Sequence, residues 1–180
     1  MPTHDHGAFL DAGKHCFACL SVSRRADGLP VLIVDTREQA PLAFVRLPSC
    51  RGTLATGDYS IRGMEHRFAV ERKSIPDLVA CCGRERDRFT AELARLAGID
   101  FRRLLIIGTE SEIIESRYRS EIAPAAVMGS LHAWEARYNV PVVFSDNPAS
   151  GADLVETWAY YYTREIIRRA DTLALQPGAG

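Results

Sequence analysis

An α/β protein with a mixed central sheet flanked by helices is the fold class this sequence predicts, and three observations predict it. Short apolar runs at 31–34, 104–107 and 140–144 read as strands buried on both faces. After residue 74 such runs alternate with apolar residues at helical spacing, which gives parallel strands under crossover helices. Ahead of that alternation, Tyr59-Ser60-Ile61 and residues 67–73 flank the turn-like Arg62-Gly63-Met64-Glu65. This reads as an antiparallel hairpin, and it makes the sheet mixed.

The elements come in chain order. Residues 1–29 show no sustained period and run into Ala26-Asp27-Gly28-Leu29-Pro30. They read as an N-terminal arm, expected to be loose. One domain is expected over 30–172, with a frayed tail at 173–180. Val31-Leu32-Ile33-Val34 is a core strand with Asp35 at its carboxyl end. Pro41, Pro48 and Gly52 interrupt the next stretch of chain. In the returning strand of the hairpin, side chains alternate between faces. Phe68, Val70 and Arg72 share one face; Ala69, Glu71 and Lys73 share the other. Ser74-Ile75-Pro76-Asp77 opens a helix, with Ser74 as N-cap, proline in the first turn and Asp77 at the capping-box position. Phe89, Leu93 and Leu96 form one helical stripe, and Gly98 stops it. Val127, Leu131, Trp134 and Tyr138 trace another helix face. Asp153 is expected to cap a last helix with Leu154, Trp158, Tyr161 or Tyr162, and Ile166 inward.

The chain has 180 residues, enough for one well-cored domain, and a formal net charge of -1. That balance weighs against a basic nucleic-acid coat protein. It leaves room for a nuclease, whose acidic metal site offsets basic contacts elsewhere. Arg84, Arg86, Arg88, Arg95, Arg102 and Arg103 crowd one stretch. They suit phosphates, or a solvated helix face paired with Glu85, Asp87 and Glu92. There is no apolar run of about 18 residues and no secretory h-region, so a cytoplasmic protein without a membrane span is expected. Five cysteines, an odd number with no secretion signal, read as reduced thiols. Cys16 and Cys19, with His4, His6 and His15 nearby, lack a second ligand pair at zinc spacing. Whether they bind zinc stays open.

The chemistry concentrates at three strand ends. Phosphodiesters resist water because the attacker meets negative oxygens and the leaving alkoxide is poor. A divalent metal answers both difficulties. Magnesium, for which manganese commonly substitutes, prefers hard oxygen donors and takes only one or two carboxylates. Asp58 and Glu71 are the expected direct ligands, and Asp35 is a further ligand, direct or through water. Lys73, on the same strand face as Glu71, would hold the attacking water. Arg37 and Arg72 suit the scissile phosphate. Glu38 and Asp77 are candidates without an assigned role, and Asp77 is already explained as a helix cap. Tyr160, Tyr161 and Tyr162 suit base stacking or core packing.

Val34-Asp35-Thr36-Arg37-Glu38, Gly57-Asp58-Tyr59 and Glu71-Arg72-Lys73-Ser74-Ile75-Pro76-Asp77 stand in one order. That order resembles the nuclease domain of the XPF family of DNA repair endonucleases, whose signature is G-D…E-R-K-x-x-x-D. Gly57, Asp58, Glu71, Arg72, Lys73 and Asp77 fill its positions, and Arg88-Phe89 is similar to a downstream pair. The resemblance covers about 31–145. It implies a restriction-endonuclease-like core, magnesium or manganese, and cleavage of DNA at branches, flaps or single-strand junctions, in repair, recombination or phage DNA processing. It also implies pairing of two chains through the nuclease domain. Family members usually add a tandem helix-hairpin-helix module, which is not expected here. The rival expectation is a non-catalytic DNA-binding scaffold or dimer partner, and intact Asp58, Glu71 and Lys73 count against it.

Overall fold

A computed structural model of the chain describes residues 28–174. Its strands are β1 (Leu32–Asp35), β2 (Ser49–Gly52), β3 (Tyr59–Ile61), β4 (Phe68–Ser74), β5 (Phe101–Ile107) and β6 (Val142–Ser145). Its helices are α1 (Ile75–Cys82), α2 (Arg86–Leu96), α3 (Glu110–Ile114), α4 (Pro124–Tyr138) and α5 (Pro148–Ala174). The strands form one sheet in the order β2-β1-β3-β4-β5-β6. β3 runs antiparallel to both β1 and β4, while β1–β2, β4–β5 and β5–β6 are parallel. The sheet is therefore mixed, as the sequence predicts. Among the described residues no helix is long and apolar enough to cross a membrane.

Alternation along β4 divides the molecule into two cores. On one face Ala69 joins Leu104 and Ile106 beneath Leu78, Phe89, Leu93 and Trp134. Phe89 meets Trp134 edge-on, with ring centroids 5.1 Å apart. On the other face Phe68 and Val70 join Leu32, Val34 and Leu105 beneath Val155, Ala159 and Ile166 of α5. Each buried Val, Leu, Ile or Phe among them contributes about 1.5–3 kcal/mol. α5 lies close on the sheet because residue 151 is glycine. A Cβ there would stand 2.7 Å from Ile107 Cδ1. At the start of α1, Ser74 Oγ accepts from Asp77 N at 3.3 Å and donates to Asp77 Oδ2 at 2.6 Å, which is the expected cap.

Several expectations need correction. The interrupted stretch after β1 holds an edge strand, β2, whose half-exposed residues carry no apolar run to announce it. α3 is also new; Thr109 and Glu112 form a complete capping box around a helix too short for a period. Asp153 does not cap the last helix, which begins at Pro148; Asp153 instead pairs with Arg46 at 3.4 Å. Tyr161 faces solvent, whereas Tyr162 packs against Phe68 and Phe101. The arginines between 84 and 103 do not form one patch. Arg86 lies over Trp134, Arg102 donates to the Asn139 carbonyl, and Arg103 stacks on Phe101. Of the expected arm at 1–29, residues 1–27, with Cys16, Cys19, His4, His6 and His15, lie outside the described residues, as do residues 175–180 of the expected tail at 173–180.

Candidate active site

The antiparallel placement of β3 creates the site. It sets the carboxyl end of β1, the approach to β3 and the carboxyl end of β4 at one edge. Asp35 N donates to the Asp58 carbonyl at 2.8 Å, and Asp58 N donates to the Val70 carbonyl at 2.8 Å. Gly57 makes the turn possible. Its φ is +76°, and a Cβ would meet the Val70 carbonyl oxygen at 3.1 Å. Glycine takes this backbone without the steric penalty a side chain brings.

Asp58, Glu71 and Lys73 are brought together. Asp58 Oδ2 accepts from Arg72 N at 2.7 Å, and among the described residues no hydrogen bond reaches its Oδ1. Glu71 is 2 % exposed. Its Oε1 accepts from Lys73 Nζ, while its Oε2 is buried with no hydrogen-bond partner among the described residues. An orphaned carboxylate oxygen is costly in a dry interior. Burial first, then the neighbouring Asp58 charge, pushes Glu71 up to about 8 despite Lys73. Burial likewise pushes Asp58 up to about 6, against the opposing Arg72 hydrogen bond and Lys73 charge. Burial pulls the Lys73 ammonium down, but Glu71 more than offsets this and holds it protonated. Two crowded acids, one with an unsatisfied oxygen, fit a divalent cation. Among the described residues no group of three His, Cys, Asp or Glu gathers for a metal.

The other sequence candidates take different places. Asp35 is 1 % exposed and its carboxylate is consumed. Oδ1 accepts from Arg37 N at 2.8 Å and Arg37 Nε at 2.7 Å; Oδ2 accepts from Leu54 N at 2.7 Å and Arg37 Nη2 at 3.1 Å. Burial pushes its pKa up, but the Arg37 and Leu54 bonds bring it below the usual value. Asp35 thus fastens the loop rather than offering a free oxygen. Arg72 is engaged by Glu38, with Nε and Nη2 each 3.1 Å from its carboxylate oxygens. Arg37, Arg88, Lys73 and Asp77 line a cleft of about 240 Å³ beside Asp58. Arg88 pairs with Glu85 at its rim. A roomier hollow of about 310 Å³ lies beside Arg46, Glu156 and Tyr160. The Glu156 carboxylate there is committed to Arg46 and Leu47, so chemistry rather than size selects the smaller cleft.

The family model described as the ERCC4 domain matches residues 34–157, which include this cleft and most of the sheet. The chain belongs to the ERCC4-domain family, the XPF-type nuclease domains. The fold agrees. XPF from Aeropyrum pernix in complex with DNA matches with a TM-score of 0.61 and 21% identity, over 76% of this chain and 66% of that one. A second structure of XPF from Aeropyrum pernix matches with a TM-score of 0.61 and 23% identity, over 84% of this chain and 76% of that one. The chain thus spans slightly less than two thirds of the first of these. No curated protein matches the sequence.

Within this ERCC4 domain, sequence reading missed three participants. Leu54 N–H helps to hold Asp35. Cys81 lines the cleft, and burial pushes its thiol up to about 12. Glu92 of α2 acts by its charge on Asp58, Glu71 and Lys73 together. Its place three residues after buried Phe89 was the available signal, because such residues share a helix face.

Proposed function

We propose that this ERCC4 domain is a metal-dependent DNA endonuclease that hydrolyses phosphodiester bonds. The observation that carries the reading is the buried, unpartnered Oε2 of Glu71 beside the crowded Asp58. Magnesium, or manganese in its place, would neutralise charge on the phosphate and make water a stronger nucleophile. Asp58 Oδ1 and Glu71 Oε2 are the oxygens that would hold it. Lys73 keeps its ammonium at the Glu71 carboxylate, where it can orient the attacking water and balance charge on the phosphate. Asp35 positions Arg37 at the cleft mouth, and Arg37 and Arg88 supply exposed guanidiniums to the DNA backbone. Arg72 holds Glu38 and, through its N–H, the orientation of Asp58. DNA as the polymer is supported by family membership and by the likeness to an XPF described in complex with DNA. A preference for flaps or branches, and action as a homodimer in DNA repair, extend the same reading.

The test is one cleavage panel of flap, fork, duplex and single-stranded DNA, with RNA alongside, run with magnesium and with chelator. Magnesium-dependent cutting of DNA is expected, lost in Asp58→Ala and in Lys73→Ala. Undiminished cutting by both variants overturns the site. DNA binding without cleavage of any substrate supports the scaffold reading instead.

A further inference from the structure

Glu92 has no role in the proposed chemistry. It lies on α2, three residues after Phe89 and four after Arg88, so it neighbours both on the helix surface. That surface meets the site. The Phe89 ring lies 5.1 Å from Lys73 Nζ, and Arg88 lines the cleft. Glu92 is half-buried, yet among the described residues no hydrogen bond or ion pair engages its carboxylate. Arg88, its natural partner four residues away, pairs with Glu85 instead. Besides Arg88 on its own helix, the groups that feel its charge come from three other parts of the chain: Arg37 on the loop after β1, Asp58 before β3, and Glu71 and Lys73 on β4.

A third negative group beside two crowded acids is unfavourable in the bare protein. Its charge, felt by both Asp58 and Glu71, makes sense if positive charge arrives. Glu92 does not complete a group of three direct ligands. Any contact with an ion would therefore run through water.

We propose that Glu92 is a positioning residue for the divalent cation, accepting hydrogen bonds from the ion's hydration waters on the α2 side of the cleft. This role rests on the metal site proposed for Asp58 and Glu71. Carboxylates of this outer kind commonly contribute about 10–100-fold to metal affinity.

The experiment is manganese binding to the full chain by titration calorimetry, with melting temperature measured in chelator. Glu92→Gln is expected to bind manganese about tenfold more weakly, with a metal-free melting temperature no lower than that of the parent. Glu92→Ala repeats the test at the same helix position. Asp58→Asn is the control for the site itself and is expected to lose binding. If Asp58→Asn loses binding while both Glu92 variants bind like the parent, the role of Glu92 is overturned and the metal site stands. If Asp58→Asn binds like the parent, the metal-site reading fails, and the role of Glu92 with it.

Discussion

Arg72 grips Glu38 through two hydrogen bonds of 3.1 Å, and the two side chains are only 13% and 5% exposed. Glu38 Oε1 also accepts from Ala40 N at 2.7 Å. The pair therefore ties the loop after β1 to the carboxyl end of β4, behind Asp58. Losing one partner leaves a buried charge alone, which costs about 3–5 kcal/mol. Arg72→Ala is expected to lower stability by that order in urea denaturation. Glu38→Ala should lose nearly as much, and the double variant clearly less than the two losses added. A loss of under about 1 kcal/mol for Arg72→Ala would show that the pair is dispensable to the fold.

The raised pKa of Asp58 makes a signed prediction for the metal-free protein. An acid lifted above its unfolded value binds more protons when folded, so its contribution to stability falls as pH rises. The penalty begins near the ordinary value of 3.8 and is complete above about 6. Asp58→Asn removes it and keeps an oxygen for Arg72 N. Melting in chelator should show the variant more stable than the parent by a few degrees at pH 8. That advantage should shrink as pH falls below 6 and vanish near pH 4. A variant no more stable than the parent at pH 8 would mean that burial does not penalise the Asp58 charge.

Arg88 stands at the cleft rim, and its side chain is 71% exposed. Its pairing with Glu85 contributes little to stability at such exposure. Arg88→Ala should leave thermal stability unchanged and weaken DNA binding about equally on every sequence. The slope of log affinity against log salt should fall by about 1. An unchanged slope in fluorescence anisotropy would place the DNA path elsewhere.

The parts of this molecule legible in its sequence are those where a period or a cap coincides with burial. The alternation of Phe68, Ala69, Val70 and Glu71 placed each residue on the face it takes. Ser74 and Asp77 cap α1 as their spacing indicates. β2 and α3 were hidden because a half-exposed edge strand and a single capped turn have no apolar rhythm. At the site, the convergence of Asp58, Glu71 and Lys73 was readable, since Glu71 and Lys73 share one strand. The occupation of Asp35 by Arg37 and Leu54, and of Arg72 by Glu38, was not. Residue type shows that an arginine can meet a phosphate; only the pairing geometry shows that a carboxylate already holds it.

Glu156, 1 % exposed on α5, accepts from the backbone N–H groups of Arg46 and Leu47 at 2.6 and 2.8 Å, across 110 and 109 residues of chain. The loop between β1 and β2 is thus fastened by a side chain made long after it. During synthesis from the amino end, the strands that carry Asp58 and Glu71 can pair while this flank still hangs open. Contacts of such sequence separation close slowly. The acids can thus come together before the scaffold around them is locked, and it is α5 that supplies the lock.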